Sequence, residues 1–166
     1  MGRAMGRNDK IAAFGADRGS GVRMQYAALC WRMTEGGHEV LLITSRETGR
    51  WVIPKGWPVA GLAPEDAAAK EAWEEAGVKG TTNPVCLGRY GYLKVLGETA
   101  QVPCAVAVYG IRVDHLADKF PEVSERRRAW FPPAEAAGLV NEPDLARLIA
   151  GFVPPPAGRP GPIAGE

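Results

Sequence analysis

Cysteine is scarce in this chain, with 3 in 166 residues, and the three (Cys30, Cys86 and Cys104) are widely spaced. That excludes a disulfide framework and a cysteine-ligated zinc site. Cys30 and Cys104 sit in apolar runs, where a buried free thiol is expected. Histidine is scarcer, with 2 residues, His38 and His115, far apart in sequence, so no histidine metal pair is expected. No apolar run approaches the roughly 18 residues of a membrane helix. Arg3 and Arg7 are followed by no apolar segment of the kind a secretory signal needs, and Gly6 stands where a myristoylation motif has Ser or Thr. Net charge is nearly absent as well: +1 overall, which argues against a general nucleic-acid-binding surface. The expectation is a reduced, cytoplasmic protein with no membrane or nucleic-acid partner, whose oligomeric state the sequence leaves open.

Glycine and proline are plentiful but unevenly placed. They crowd "GADRGSG" (15–21) and "PPPAGRPGP" (154–162), so residues 1–20 and 154–166 read as tails around one domain at 21–153. Within it, "QYAALCWRM" (25–33) and "HEVLLITSR" (38–46) flank "TEGG" and predict a β-hairpin. "RWVIPKG" reads as a short strand ended by Pro54. "VCLGRYGYLKV" (85–95) and "QVPCAVAVYGIRV" (101–113) read as strands joined around Gly97. The second is apolar on both faces, as a covered central strand should be. "RRRAWFP" (126–132) gives a last short strand, and "NEPDLARLIAGF" (141–152) a terminal helix with Leu145, Leu148, Ile149 and Phe152 on one stripe.

The strongest helix signal is "APEDAAAKEAWEEAG" (63–77). Pro64 stands in the first turn, Glu65 and Asp66 lie at the positive end, and Gly77 lies past the finish. Ala68, Ala72 and Ala76 mark a side able to lie close to a sheet. The same helix crowds Glu71, Glu74 and Glu75 into an arc of roughly 100°. Glu71 and Glu75 stand at i,i+4, where like charges destabilise a helix. Either water solvates this face or a cation holds it together. A glycine-bearing loop, "PKGWPVAG", precedes the helix and brings Lys55 near, and hard oxygen ligands with room for water and phosphate suit Mg²⁺.

Gly56, Glu71, Glu74, Glu75, Gly77 and Val78 fit the pattern G-x5-E-x7-R-E-U-x-E-E-x-G-U in register. On these residues the chain resembles the Nudix hydrolase family. "EVLLITSRETGRWVIPKGW" and "RRRAWFPPAEAA" further resemble bacterial relatives of diphosphoinositol polyphosphate and diadenosine polyphosphate hydrolases. The resemblance implies an α/β fold, an α/β/α sandwich on a mixed β-sheet. It also implies a Mg²⁺-dependent (or Mn²⁺-dependent) pyrophosphohydrolase cleaving a phosphoanhydride in a small polyphosphorylated molecule, either a dinucleoside polyphosphate or a diphosphoinositol polyphosphate. By that resemblance Glu74 and Glu75 are metal ligands and Glu71 is a ligand or the general base. The Lys55 backbone carbonyl is another ligand, and Glu122 or Glu125 a further acidic one from outside the motif.

Two positions depart from the pattern: Leu62 replaces its first Glu and Lys70 its Arg. In the family that pair is a structural contact between loop and helix, so the metal-facing triad is expected to survive the change. The alternative is a Nudix module that senses a nucleotide without turnover, which only Leu62 and Lys70 favour. Arg50, Lys55 and Gly56 are the candidate substrate contacts, with Arg89 and Lys94 behind them. Arg126–Arg128 reads as a solvated rim, Tyr90 and Tyr92 as packing residues, and Trp51, Trp73 and Trp130 as core or core edge. No base-reading constellation is evident, so phosphate number is expected to matter more than the nucleobase.

Overall fold

The computed structural model describes residues 21–156. The expected tails at 1–20 and 157–166 lie outside the described residues, while 154–156 are described and carry neither helix nor strand. Among the described residues, seven strands and three helices follow one another as β1 (Arg23–Thr34), β2 (Gly37–Thr44), β3 (Trp51–Val52), β4 (Lys55–Gly56), α1 (Pro64–Ala76), β5 (Val78–Leu96), β6 (Ala100–Leu116), β7 (Arg128–Phe131), α2 (Pro133–Leu139) and α3 (Pro143–Gly151). The sheet runs β3-β2-β1-β6-β5, with β4 also pairing β1 and β7 also pairing β2. The β1–β6 pair is parallel and the others are antiparallel. The sheet is therefore mixed, with helices on both faces, as an α/β/α sandwich requires.

Strand alternation explains the two cores. Along β1, Tyr26, Ala28 and Cys30 face α1, where they meet Leu41, Ile43, Tyr109 and Ile111. Ala27, Leu29 and Trp31 point the other way, into a second cluster with Val40, Leu42, Val106, Val108 and the α3 residues Leu145 and Ile149. From Tyr26 to Trp31 every β1 position is spent on one core or the other, hence the unbroken apolar run there. Cys30 and Cys104 are buried free thiols, as expected, and Cys86 is exposed. Against the sheet α1 presents Ala68, Ala72 and Ala76, each fully buried. With no bulk beyond Cβ, this face lets the helix axis approach the sheet closely.

The α1 boundaries follow its capping chemistry. Pro64 opens the helix with a φ already helical, and Glu65 and Asp66 meet the positive end. Gly77 closes it in the left-handed region at φ 69°, and a Cβ there would also lie 2.5 Å from Phe120 Cδ1. No other residue suits both demands.

Two local readings needed correction. "RWVIPKG" forms two strands: β3 pairs with β2 and β4 with β1, while Pro54 O accepts the Ala28 N–H at 3.0 Å. Pro54, lacking a donor, marks the crossing that carries Lys55 and Gly56 beside β1. β5 begins at Val78, directly after Gly77, well before the expected 85. Register shifts at Lys79/Gly80, Thr82/Cys86 and Cys86/Gly88 break its alternation, and Pro84 hides in the irregular stretch, so period-two counting misses the first half. A short helix, α2, for which the sequence carried no assignment, follows β7, and Pro133 starts it.

Candidate active site

A cleft of about 430 Å³ opens where the β2–β3 loop, β4, α1, the β5–β6 hairpin and the segment before β7 converge. Five cationic side chains (Arg46, Arg50, Lys55, Lys94, Arg126) and four carboxylates (Glu47, Glu71, Glu75, Glu122) line it. Of the α1 carboxylates, Glu71 and Glu75 reach the cleft. Glu74 turns outward, where Lys70 Nζ donates to its Oε2 at 2.6 Å. Its backbone carbonyl accepts the Glu122 N–H at 3.0 Å, which pins the segment before β7 to the end of the helix.

Glu71 and Glu75 are hydrogen-bonded to each other. Glu75 is 8 % exposed. Burial pushes its carboxyl up to about 8, the Arg126 guanidinium opposes this, and neighbouring Glu71 adds to it. Burial also raises Glu71. Two carboxylates in one desolvated place cannot both ionise cheaply. Both carboxyls are therefore raised by burial, with the buried Glu75 raised to about 8.

Gly56 completes this floor. A Cβ on Gly56 would lie 2.2 Å from both Cδ and Oε2 of Glu71. The loop backbone and the helix carboxylate share the space a methyl group would need, and this is why the position carries glycine.

Arg126 is the member that sequence reading placed wrongly, as part of a solvated rim. Its side chain is only 10 % exposed. Nε donates to Glu122 Oε1 at 2.7 Å, NH1 donates to the Thr44 carbonyl at 3.1 Å, and NH2 lies 3.7 Å from Glu75 Oε2. It ties α1, β2 and the segment before β7 together under the cleft. Arg128 is likewise committed internally: it donates to the Ala76 carbonyl at 2.6 Å and the Ala117 carbonyl at 2.8 Å, where a cation complements the carboxyl end of α1. Arg127 alone of the three is exposed. Three charged residues in a row show no periodicity, so nothing in the sequence separates them.

The remaining candidates divide by position. Arg50 lines the cleft while pairing with the buried Glu142 at 3.0 Å. Lys55 Nζ rests 4.9 Å from the Tyr92 ring centre, and burial lowers its pKa against the opposing pull of Glu75. Glu122 lines the cleft, whereas Glu125 pairs with Arg46 at 3.1 Å. Arg89 is exposed on β5 and does not line the cleft. Gln25, invisible as a site residue in the sequence, accepts the Tyr92 hydroxyl at 2.6 Å on the cleft wall.

Among the described residues no three His, Cys, Asp or Glu side chains already converge to enclose a metal ion. The donor chemistry nevertheless fits a hard divalent cation. Glu71 and Glu75 bring two carboxylate ligands to one cleft floor, with Gly56 packed against Glu71. Among the described residues no helix is long and apolar enough to cross a membrane.

Comparison with known proteins agrees with this architecture. The NUDIX domain family model matches residues 23–152. Human diphosphoinositol polyphosphate phosphohydrolase 3-alpha is 35% identical over 128 residues, covering 73% of this chain and 71% of the relative. Among solved structures, a C. elegans Ap4A hydrolase superposes with TM-score 0.53 at 18% identity, covering 77% of this chain and 93% of that one. The NUDIX domain of Shewanella oneidensis NrtR, complexed with ADP ribose, superposes with TM-score 0.58 at 16% identity, covering 82% of this chain and 91% of that one.

Proposed function

The chain belongs to the Nudix hydrolase family, and we propose that its cleft hydrolyses a phosphoanhydride bond in a polyphosphorylated small molecule with the help of Mg²⁺ (or Mn²⁺). The observation that carries this reading is the convergence of Glu71 and the buried Glu75 at the floor of a cation-lined cleft. A solvated helix face, the bland alternative for clustered glutamates, would leave both carboxylates in water.

Glu71, Glu75 and the Lys55 carbonyl would hold the metal, with Glu122 at the cleft edge and Glu74 able to join by leaving Lys70. The metal would neutralise phosphate charge and make a bound water more acidic. The Glu71 carboxylate accepts the proton of the attacking water, and attack at phosphorus expels a phosphate-bearing leaving group. Arg126 keeps Glu75 in place, and Lys55 meets the phosphate chain. The low exposure of Arg126 and Glu75 keeps these contacts out of competition with water.

A panel of polyphosphorylated substrates assayed for phosphate release with and without Mg²⁺ tests the proposal. Metal-dependent turnover that Glu75→Gln lowers by about 10²-fold or more is the expected result. A sensing module is the second reading, on the strength of Leu62 and Lys70. Tight nucleotide binding without turnover of any member of the panel would favour it.

A further inference from the structure

The guanidinium groups that line the cleft differ in how each is held. Arg46 is accessible but loosely tethered: its side chain is 56 % exposed and that of its partner Glu125 44 %, and exposed pairs of this kind hold little. Arg126 is firmly held but covered, at 10 % exposed. Arg50 is both anchored and within reach, with a side chain 32 % exposed on the cleft lining.

Both ends of Arg50 are fixed before any ligand arrives. Its backbone N–H donates to Ser45 Oγ at 3.1 Å and its carbonyl accepts the Ser45 N–H at 2.8 Å, which closes the β2–β3 loop. At the far end, NH2 lies 3.0 Å from Glu142 Oε2. Glu142 stands at the N-cap of α3, where negative charge meets the positive end of the helix, yet its side chain caps no backbone N–H. The carboxylate crosses to Arg50 instead.

A structural bolt is the plainer reading of a buried ion pair, and two observations weigh against it. α3 is already seated by Leu145 and Ile149, 1 % and 0 % exposed, and a buried pair adds little to such packing. The pair is also half-made. A guanidinium and a carboxylate matched for stability close through two parallel bonds. Here Arg50 NH1 and Glu142 Oε1 are buried with no hydrogen-bond partner among the described residues. Unpartnered buried polar atoms cost stability, and local rules of this kind are broken where a site needs a group held in one orientation.

We propose that Glu142 is a positioning residue: from the N-cap of α3 it holds the Arg50 guanidinium by one edge on the cleft wall, oriented to meet the phosphates of the bound molecule. This rests on the cleft being a polyphosphate site. Ordering a long side chain at the moment of binding lowers affinity, and an Arg50 ordered in advance avoids that loss. Glu142 touches no substrate; its effect passes through Arg50.

Charge and position forecast opposite signs. By charge alone, removing a carboxylate beside an anion site tightens anion binding. If Glu142 positions Arg50, removing it weakens binding despite the lost repulsion. Calorimetric titration with inorganic tripolyphosphate, chelator present so that nothing turns over, compares the full chain with Arg50→Ala, Glu142→Ala, Glu142→Gln and the two double variants. Arg50→Ala should weaken tripolyphosphate by about tenfold, the size of one charge-assisted hydrogen bond. Glu142→Ala should weaken it by about threefold or more, the effect of leaving one long side chain to be ordered by the ligand. Glu142→Gln should weaken it less, because the amide oxygen still accepts from NH2. In the Arg50→Ala background neither Glu142 change should weaken binding, the non-additivity of residues that act as one.

Tighter binding by both Glu142 variants with Arg50 present would overturn the proposal. So would equal weakening with and without Arg50, or a lowered melting temperature at unchanged affinity, which a structural bolt would give. A wild-type protein that does not bind tripolyphosphate would overturn it together with the polyphosphate reading of the cleft. The expected pattern of binding with no phosphate release from any substrate would instead sink the hydrolase reading and leave this one standing.

Discussion

Gly56 and Glu71 occupy adjoining space so tightly that a methyl group on the first would overlap the carboxylate of the second, at 2.2 Å from Cδ and Oε2. The loop before the helix and the helix itself are thereby registered to each other by the absence of a side chain. Gly56→Ala should push Glu71 out of the cleft floor. The expected result is a loss of turnover of about tenfold or more, with a stability cost of about 1–3 kcal/mol from overpacking. Steady-state kinetics beside thermal melts check this. Unchanged kcat in a folded Gly56→Ala protein would show that the contact relaxes without moving Glu71.

Stability of the metal-free protein should depend on the proton at Glu75. Its carboxyl is raised from 4.5 to about 8 in the fold, so the folded state holds a proton that the unfolded chain releases. The contribution is fully present below about pH 4.5 and is lost as pH rises through about 8, at up to about 1.4 kcal/mol per pH unit. Glu75→Gln keeps the shape and a donor but cannot ionise, so it should flatten this slope. Denaturant midpoints measured with chelator present across that window check the sign; parallel slopes for both proteins would dismiss Glu75 as the source.

The end of α1 depends on a residue that the sequence disguises. Arg128 donates to the Ala76 and Ala117 carbonyls, so Arg128→Ala leaves two acceptors without that partner. The expected loss is about 1.5–3 kcal/mol, the range for hydrogen bonds to charged groups. Arg127→Ala, exposed next to it, should lie within about 0.5 kcal/mol of wild type. Comparable losses at the two positions in chemical denaturation would refute the distinction.

That contrast marks how far the sequence was legible. α1, the β1–β2 hairpin and the two-faced β6 could be read because a fixed period or capping residues announce each of them. That Glu71, Glu74 and Glu75 share one helix could be read from their spacing; that Glu74 turns outward to Lys70 could not. The first half of β5 could not, since bulges around Gly80 and Gly88 erase the alternation. Nor could the partition among Arg126, Arg127 and Arg128, or the pairing of Arg50 with Glu142, which joins residues 92 positions apart. Contacts made by tertiary approach leave no periodic trace.

Lys55 should act on binding more than on chemistry. Its ammonium lies on Tyr92 in the cleft, where Glu75 attracts it. Lys55→Ala should raise KM several-fold, by more than it lowers kcat, and the effect should grow with the number of substrate phosphates. A fall in kcat alone, at unchanged KM, would move Lys55 from phosphate binding to the chemical step.

The two departures from the family pattern make the last case. Lys70 is not idle without the missing glutamate: its ammonium lies 2.6 Å from Glu74 Oε2 on the exposed side of α1, the i,i+4 spacing at which opposite charges attract. Leu62 is half-buried, its N–H donating to the Val59 carbonyl at 3.0 Å, so the loop turn closes without a carboxylate. Both positions therefore have local substitutes for the contact they lack. Restoring the pattern with Leu62→Glu and Lys70→Arg together should shift stability by no more than about 1 kcal/mol, as exposed pairs do. Turnover should stay within about twofold of wild type, because Lys70 pairs with Glu74 outside the cleft that Glu71 and Glu75 line. Metal titrations of activity for both proteins check it. A large gain in kcat from the double substitution would mean that the natural loop holds the site in an impaired state, and would shift the balance toward nucleotide sensing.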